Sequence, residues 1–414
     1  MPVSPLSRHA GNEKPFGAER LSRGFDRRCR ERAVRRRDRE TLRERLFDVL
    51  EFYYPACADK DGHIAGIDEQ TGEVYDSESR HLVATCRFIN NFAVGAAYDG
   101  PDWCQQEAAR GLSFLESAHR NGEGYAWLLD RRRVEDDTRK PYGHAFVLLA
   151  HARAAGVGID ADVDRVARLL EERFGDSNGL FGPTKGPDWE PLESYRGQNP
   201  NMHACEALLV AYETTGRAEY LERATTVARQ LTVELVDDEG RIWEHYTADW
   251  EPDYGYNRDN PHHQFRPWGY QPGHHAEWAK LLAGLARHRS DGWLLERAEE
   301  LFAYALVGWD DENGGFHYTL DGTGDPVVRE KYGWPVAEAI GAAAALYEHL
   351  EKNCLTEWYD RLWQYAEDHL LAPRGNWYAK LTAGNGRLPT GSGPAIEPGY
   401  HPVGACHEAL RAFD

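Results

Sequence analysis

A glycine-centred turn returns six times along this chain, at 60–62, 121–124, 176–179, 237–240, 310–315 and 373–375. The repeats lie roughly 55 to 75 residues apart, a spacing that points to a repeated supersecondary unit. Most of the turns run into alternating aromatic or apolar residues, as from Tyr125 to Leu129, Arg241 to Tyr246 and Gly315 to Thr319, which predicts short hairpins. Behind each hairpin stands a helix with a polar or aromatic opening and a small-residue or aliphatic body: His81 to Arg87, Tyr142 to Phe146, Asn199 to His203, Gln271 to His274, Trp334 to Glu338 and His401 to Ala405. Helices apolar on nearly every side are buried. Charged amphipathic stretches at 162–174, 218–235, 293–306 and 356–371 alternate with them and read as an outer ring. Six units of outer helix, hairpin and buried inner helix predict an all-α fold, an (α/α)6 barrel with short β-hairpins in the connections at one rim. A superhelix of helix pairs is the alternative parse, but it needs no polar residue at every inner-helix start.

The 414 residues and 47.0 kDa allow two ordinary domains or one large toroid, and the repeat favours the toroid. The expected division is a basic, flexible extension at 1–40 and a single catalytic barrel at 41–414. Residues 1–45 hold 14 Lys/Arg and 7 Asp/Glu, so 46–414 carry −20 − 7 = −27. A body that acidic repels phosphate backbones, which argues against a nucleic-acid partner. The basic segment reads as an arm for an anionic partner, a transit segment, a solvated first helix behind a loose tail, or the product of an upstream start codon. Only 8 of the 48 basic residues are Lys, which fits either an acidic, salt-tolerant surface or an Arg-biased codon usage. Seven cysteines without a Cys-x-x-Cys pair argue against a disulfide framework and a zinc knuckle. No signal-like core and no apolar run approaching membrane length occur, so a soluble cytoplasmic protein without a membrane partner is expected, as monomer or homodimer.

The inner-helix starts contribute His81, Arg87, Tyr142, His144, Asn199, His203, His274, Glu277, Trp334, Glu338 and His401. One histidine at a helix head is ordinarily a cap or a satisfied core residue. The recurrence of polar residues at one place in successive repeats instead predicts a shared cavity at the rim. His274 and Glu277 stand three apart on one helix, and His203 and Glu206 repeat the spacing. These carboxylates could hold the imidazoles or meet a ligand, but no helix offers three ligands at a recognisable metal spacing, so no metal and no cofactor are expected. His262 and His263 read as an exposed loop pair.

Paired carboxylates among Glu206, Glu277, Glu338 and Asp130 would allow a glycosidase, which leaves the histidines without work. Trp127, Trp243, Trp268, Trp334 and Trp377 suit stacking on sugar faces or packing in the core. Neither a phosphate-binding Gly loop nor a Gly-x-Ser-x-Gly elbow is present. Two histidines on one small cavity suit proton transfer beside a carbonyl, since an imidazole accepts and returns a proton near neutral pH. The enediolate formed is an anion that a guanidinium such as Arg87 could stabilise.

The stretches Arg80 to Phe88, Tyr142 to Leu149, Asn199 to Ala207 and Gln271 to Ala279, with the late His401-Pro402, resemble the N-acylglucosamine 2-epimerase superfamily, nearest its mannose isomerase and aldose–ketose isomerase branch. The likeness covers about residues 45–414. It implies an (α/α)6 barrel that isomerises a free monosaccharide without a metal. By resemblance, His274 and His401 are the acid/base pair, and Arg87 binds substrate oxygens and the enediolate. Asn199, His203 and Glu277 hold the sugar and assist ring opening, while Trp334 and Glu338 line the pocket, with Tyr142 and Trp127 among the substrate contacts. In aldose–ketose isomerisation His401 carries the proton between C2 and C1, with His274 serving ring opening or oxygen protonation. In 2-epimerisation the two histidines work on opposite faces of C2. The loop from Trp250 to Trp268, rich in His, Asn and Arg, is expected at the mouth.

Overall fold

The computed structural model describes residues 35–389 and 395–413; the expectation for 1–34 lies outside them. Twelve α-helices fall among the described residues and alternate between two rings. The outer ring is α1 (Arg39–Tyr53), α3 (Asp102–Phe114), α5 (Val163–Phe174), α7 (Ala218–Arg229), α9 (Trp293–Val307) and α11 (Asn353–Tyr365). The inner ring is α2 (Leu82–Ala97), α4 (Pro141–Gly156), α6 (Gln198–Thr215), α8 (Pro272–Ala286), α10 (Gly333–Leu350) and α12 (Tyr400–Ala412). Each inner helix packs on the next, and α12 returns to α2, so the ring closes. The apolar cluster between the rings runs from Leu42 to Leu410. An inner helix touches two inner neighbours and its outer partner, so apolar residues cover almost its whole circumference. In α8 all but the last residue is buried.

All six glycine turns are closed by short antiparallel pairings: 58–59 with 62–63, 120–121 with 124–125, Gly175 with Phe181, Val236 with Ile242, Trp309 with Phe316, and Leu371 with Trp377. A second set of pairings stitches each connection to the next around the rim, at 79–81 with 128–130, Arg139 with Lys185, 196–197 with 245–246, Tyr270 with Leu320, and 331–332 with 380–381. The inner helices therefore all begin at one braced rim, and their first two turns are the only route from that rim to the barrel axis.

At the amino end, Arg36 is buried, bonded to Glu367 and Gln364, and Arg37 pairs with Asp360, so these two arginines dock on the α11 segment. No helix among the described residues is long and apolar enough to cross a membrane.

Candidate active site

The site follows from helix register. Residues one turn apart share a face, and the second and sixth residues of the inner helices turn toward the axis. The sixth residues are Arg87, Phe146, His203, Glu277 and Glu338 on α2, α4, α6, α8 and α10. Tyr142, Asn199, Trp334 and His401 are the second residues of α4, α6, α10 and α12. A cavity of about 220 Å³ opens among them, lined by Arg87, Tyr142, Asn199, His203, His274, Glu277, Trp334 and His401. At ~30 Å³ per water it has room for about seven waters, a volume suited to one monosaccharide. Gln264, Phe265 and Pro267 line it as well, so the loop 250–268 does reach the mouth.

Two expected residues stand elsewhere. Glu338 lies behind the cavity, buried against His401. Trp127 lines an adjoining cavity of about 330 Å³, which shares Tyr142, Asn199 and Phe265 with the first. Trp243 is core, packed on Tyr254 and Tyr270. Of the four carboxylates considered for glycoside cleavage, only Glu277 lines the cavity.

Histidines at the helix starts divide cleanly. His81 caps α2 by accepting from the Val83 N–H. His144 places Nδ1 2.8 Å from the Lys140 carbonyl and accepts from the Tyr125 N–H at Nε2. His275 repeats that bracing with Gln271 and Ile242, and Asn201 makes the equivalent bonds to Gly197 and Phe181. These fourth-position residues tie each helix to its hairpin, with no nitrogen left for chemistry.

The pair facing the cavity is held differently. His274 Nδ1 lies 2.9 Å from Glu244 Oε2, and His401 Nδ1 lies 2.6 Å from Glu338 Oε1. Each carboxylate is placed to accept an Nδ1–H, the tautomer that leaves Nε2 as the free base, and the Gln198 amide nitrogen also stands 2.8 Å from His274 Nδ1. Gln198, oriented by Trp278, donates a second bond to Glu244. Burial pushes Glu244 toward protonation, but His274 and Gln198 hold it below the usual carboxylate range. Sequence spacing allowed Glu277 either to hold His274 or to meet a ligand. The structure gives that support to Glu244, while Glu277 lines the cavity and faces Glu338 and Lys280. Trp334 sits between the imidazoles, with centroids 5.1 Å from His274 and 5.6 Å from His401. Gly273 makes this possible, since a Cβ there would strike the Trp334 ring.

Arg87 is buried between Phe146 and Tyr400, each ring centroid 4.8 Å from its guanidinium carbon. Burial opposes its charge, but Glu397 restores and strengthens it. Glu397 also lies 3.4 Å from His401 Nε2. Glu206 accepts from Tyr400 and pairs with His203, and these bonds overcome burial to bring it down to about 2. Burial brings His203 down to about 4, so its imidazole is neutral. Burial and the neighbouring Glu338 push Glu277 well above the carboxylate range, against the pull of Lys280. Glu277 is thus a buried acid whose protonated form is favoured by its surroundings, with Oε1 unbonded.

Donor atoms of His203, Glu206 and Glu277, and of Glu277, Glu338 and His401, lie within 4.8 Å of one another in each trio. Such trios are close enough to surround a cation, and the cation among them is the Lys280 ammonium, paired with Glu338. The donor set is therefore already compensated by the chain itself.

A toroid with two carboxylate-held histidines and a buried arginine at its rim has the build of a proton-transfer enzyme. Residues 62–405 match the model of the N-acylglucosamine 2-epimerase family. The chain is 37% identical to the D-mannose isomerase of Marinomonas mediterranea, over 90% of this chain and 97% of that one. It is 35% identical to the D-mannose isomerase of Thermobifida fusca, over 84% and 88% of the two chains. A crystal structure of D-mannose isomerase superposes with a TM-score of 0.88 at 36% identity, covering 91% of this chain and 98% of the other. The chain belongs to the N-acylglucosamine 2-epimerase family, and it is an isomerase.

Glu244, Gln198, Lys280 and Glu397 are absent from the expected site residues. Lys280 could have been found: it is a lone ammonium in an otherwise aliphatic inner-helix turn.

Proposed function

We propose that the protein interconverts an aldose and a ketose of the mannose–fructose type through a cis-enediolate, by histidine acid/base catalysis without a metal. The carrying observation is the pair of imidazoles, each with Nδ1 held by a buried carboxylate and Nε2 turned to a cavity of hexose size. Likeness to the two D-mannose isomerases supports the substrate class.

In this reading the hexose lies between Trp334 and Arg87. Protonated Glu277 gives its proton to the ring oxygen as the C1–O5 bond breaks, and His274 Nε2 takes the anomeric hydroxyl proton. His401 Nε2 takes the proton from C2, and the C1=O electrons become an enediolate oxygen facing Arg87. The imidazolium returns the proton to C1 on the same face, while His274, charged since ring opening, gives its proton to the C1 oxygen and takes the C2 hydroxyl proton, leaving a hydroxyl at C1 and a ketone at C2. Imidazole bases contribute typically about 10²–10⁴-fold, and a buried guanidinium facing the developing oxyanion adds electrostatic stabilisation.

Incubating mannose in deuterated water and following products by NMR tests this. Fructose should form, and EDTA should leave the rate unchanged. Glucose without fructose would make the enzyme a 2-epimerase, and loss of activity on chelation restored by a divalent ion would overturn the metal-free route. His401→Ala should abolish turnover and C–H exchange with the circular dichroism unchanged.

A further inference from the structure

Beneath the cavity lies a second layer, made by the ninth residues of the inner helices. On α2, α6, α8, α10 and α12 these are Asn90, Glu206, Lys280, Gly341 and Glu408. Lys280 is the only base in the layer, it is 7% exposed, and the axis has been shaped to receive it. A Cβ at Gly341 would lie 3.2 Å from the Lys280 Cδ, so any larger residue there would press on its stem. Three buried carboxylates share this one ammonium: Glu338, which it contacts directly, and Glu277 and Glu206, which it feels through space. A buried charge without a counter-charge is expensive, and the ammonium supplies that counter-charge to the acid it stands on. It sits on Glu338, whose other oxygen receives the His401 Nδ1–H.

We propose that Lys280 is a positioning residue of the catalytic site: its buried ammonium holds Glu338 as the acceptor that aims His401 Nε2 into the sugar cavity. Without it, Glu338 faces the carboxyl of Glu277 across the axis and takes up a proton, and a protonated Glu338 competes for the hydrogen-bonding direction of His401. The acids acting on the ammonium are Glu338 on α10, Glu277 on its own helix and Glu206 on α6; the small cavity beside it is also lined by Arg153, Glu213, Arg287, Tyr400, His407, Glu408 and Arg411, of which Glu408 is paired with Arg287. Of the three acids only Glu338 hydrogen-bonds a histidine of the proposed acid/base pair. The kinetic part of the inference rests on the assignment of His401 as proton carrier; the structural part does not.

The experiment uses the full chain, its Lys280→Met, Lys280→Arg and Glu338→Gln variants, and the Lys280→Met/Glu338→Gln double variant. In ¹⁵N-histidine-labelled protein without sugar, His401 should be in the Nδ1–H tautomer with a downfield, slowly exchanging Nδ1–H proton. That signal should be lost in K280M and kept in K280R. With mannose, K280M should lose about tenfold or more in kcat with KM within about threefold, and the acid limb of its pH profile should rise by about one unit or more. The double variant should be no slower than E338Q alone. A K280M protein that melts earlier but keeps the His401 signal and the acid limb would overturn the inference, and so would additive losses in the double variant. Should K280M not fold, the wild-type spectrum decides, since an Nε2–H tautomer at His401 refutes the arrangement. Absence of any mannose turnover in the wild type would defeat the proposed function while leaving the tautomer test intact.

Discussion

Replacing Glu277 by Gln should make the protein more stable at neutral pH and less active, and the two effects have one cause. Glu277 is 1% exposed, its Oε1 has no hydrogen-bond partner, and the nearest imidazole nitrogen, His203 Nδ1, is 3.8 Å away. Burial and Glu338 raise its pKa above 4.5, so the folded protein retains a proton that the unfolded chain releases. For a group raised in the folded state, the contribution to stability is complete below the unfolded value and is lost as pH rises toward the folded one. Each pH unit in that window costs about 1.4 kcal/mol, and the full burial of the carboxyl means that solvent screening does not reduce it. Gln has the shape of the protonated acid and never ionises, so E277Q escapes this loss.

Urea unfolding of wild type and E277Q from pH 6 to 8 measures the difference directly. The amide exchanges at most one hydrogen bond, a constant offset of about 1 kcal/mol that does not change with pH. The variant should then gain about 1.4 kcal/mol per pH unit over the wild type until Glu277 ionises in the folded state. Because the amide has no acidic proton to give, kcat should fall by about 10²-fold or more if Glu277 assists ring opening as an acid. A gap that does not grow with pH, or an E277Q that is about 3 kcal/mol less stable at pH 7, would mean that Glu277 is ionised and paired, and the reasoning fails.

Seven histidines, at 81, 119, 144, 203, 245, 275 and 407, are lowered by burial to about 3 or 4. Stability held by such groups is complete above 6.5 and is lost as pH falls toward their folded values, so the fold should fail between pH 6 and 5, where about 1.4 kcal/mol per histidine and pH unit matches a typical total stability; a midpoint of acid unfolding below 4 by circular dichroism would refute this. Glu244→Gln should lower kcat about 10-fold or more while leaving the melting curve of the helices nearly unchanged, since it removes the charge of the Nδ1 acceptor of His274 and not the ring; unchanged kcat on mannose would show that the carboxylate behind His274 is immaterial. Phe265→Ala should join the two cavities that share this ring, raising KM for a hexose and admitting larger sugars; a substrate panel with unchanged KM values would remove Phe265 as the divider.

What could be read from the sequence is what the repeat places in register. Arg87, His203, Glu277 and Glu338 occupy the sixth position of successive inner helices, and the helix openings carry that register on their face. The unread part lies across repeats. Glu244 sits in a rim pairing, 30 residues from the imidazole it supports, and looked like a strand residue among aromatics. Gln198 reaches His274 across 76 residues, and Glu397 reaches Arg87 across 310. His144 and His274 look alike as histidines near a helix start, yet one braces a hairpin and the other faces the cavity. The difference is one residue of phase on a helix, about 100°.

That phase rule also explains how one ring can present two equivalent bases. His274 and His401 belong to α8 and α12, which are separated by α10 alone, and α10 supplies both the Trp334 between them and the Glu338 behind His401. The two histidines approach the cavity from opposite sides of one indole, each with its Nδ1 bonded to an acid from a different element, Glu244 from the rim and Glu338 from the axis. Their bonding is alike and their surroundings are not: His401 shares its carboxylate with Lys280, and His274 shares its own with the neutral Gln198. The two imidazoles thus stand on supports of different charge, an ammonium-paired acid behind His401 and an amide-bonded one behind His274, so Lys280→Met and Gln198→Ala perturb the two histidines separately.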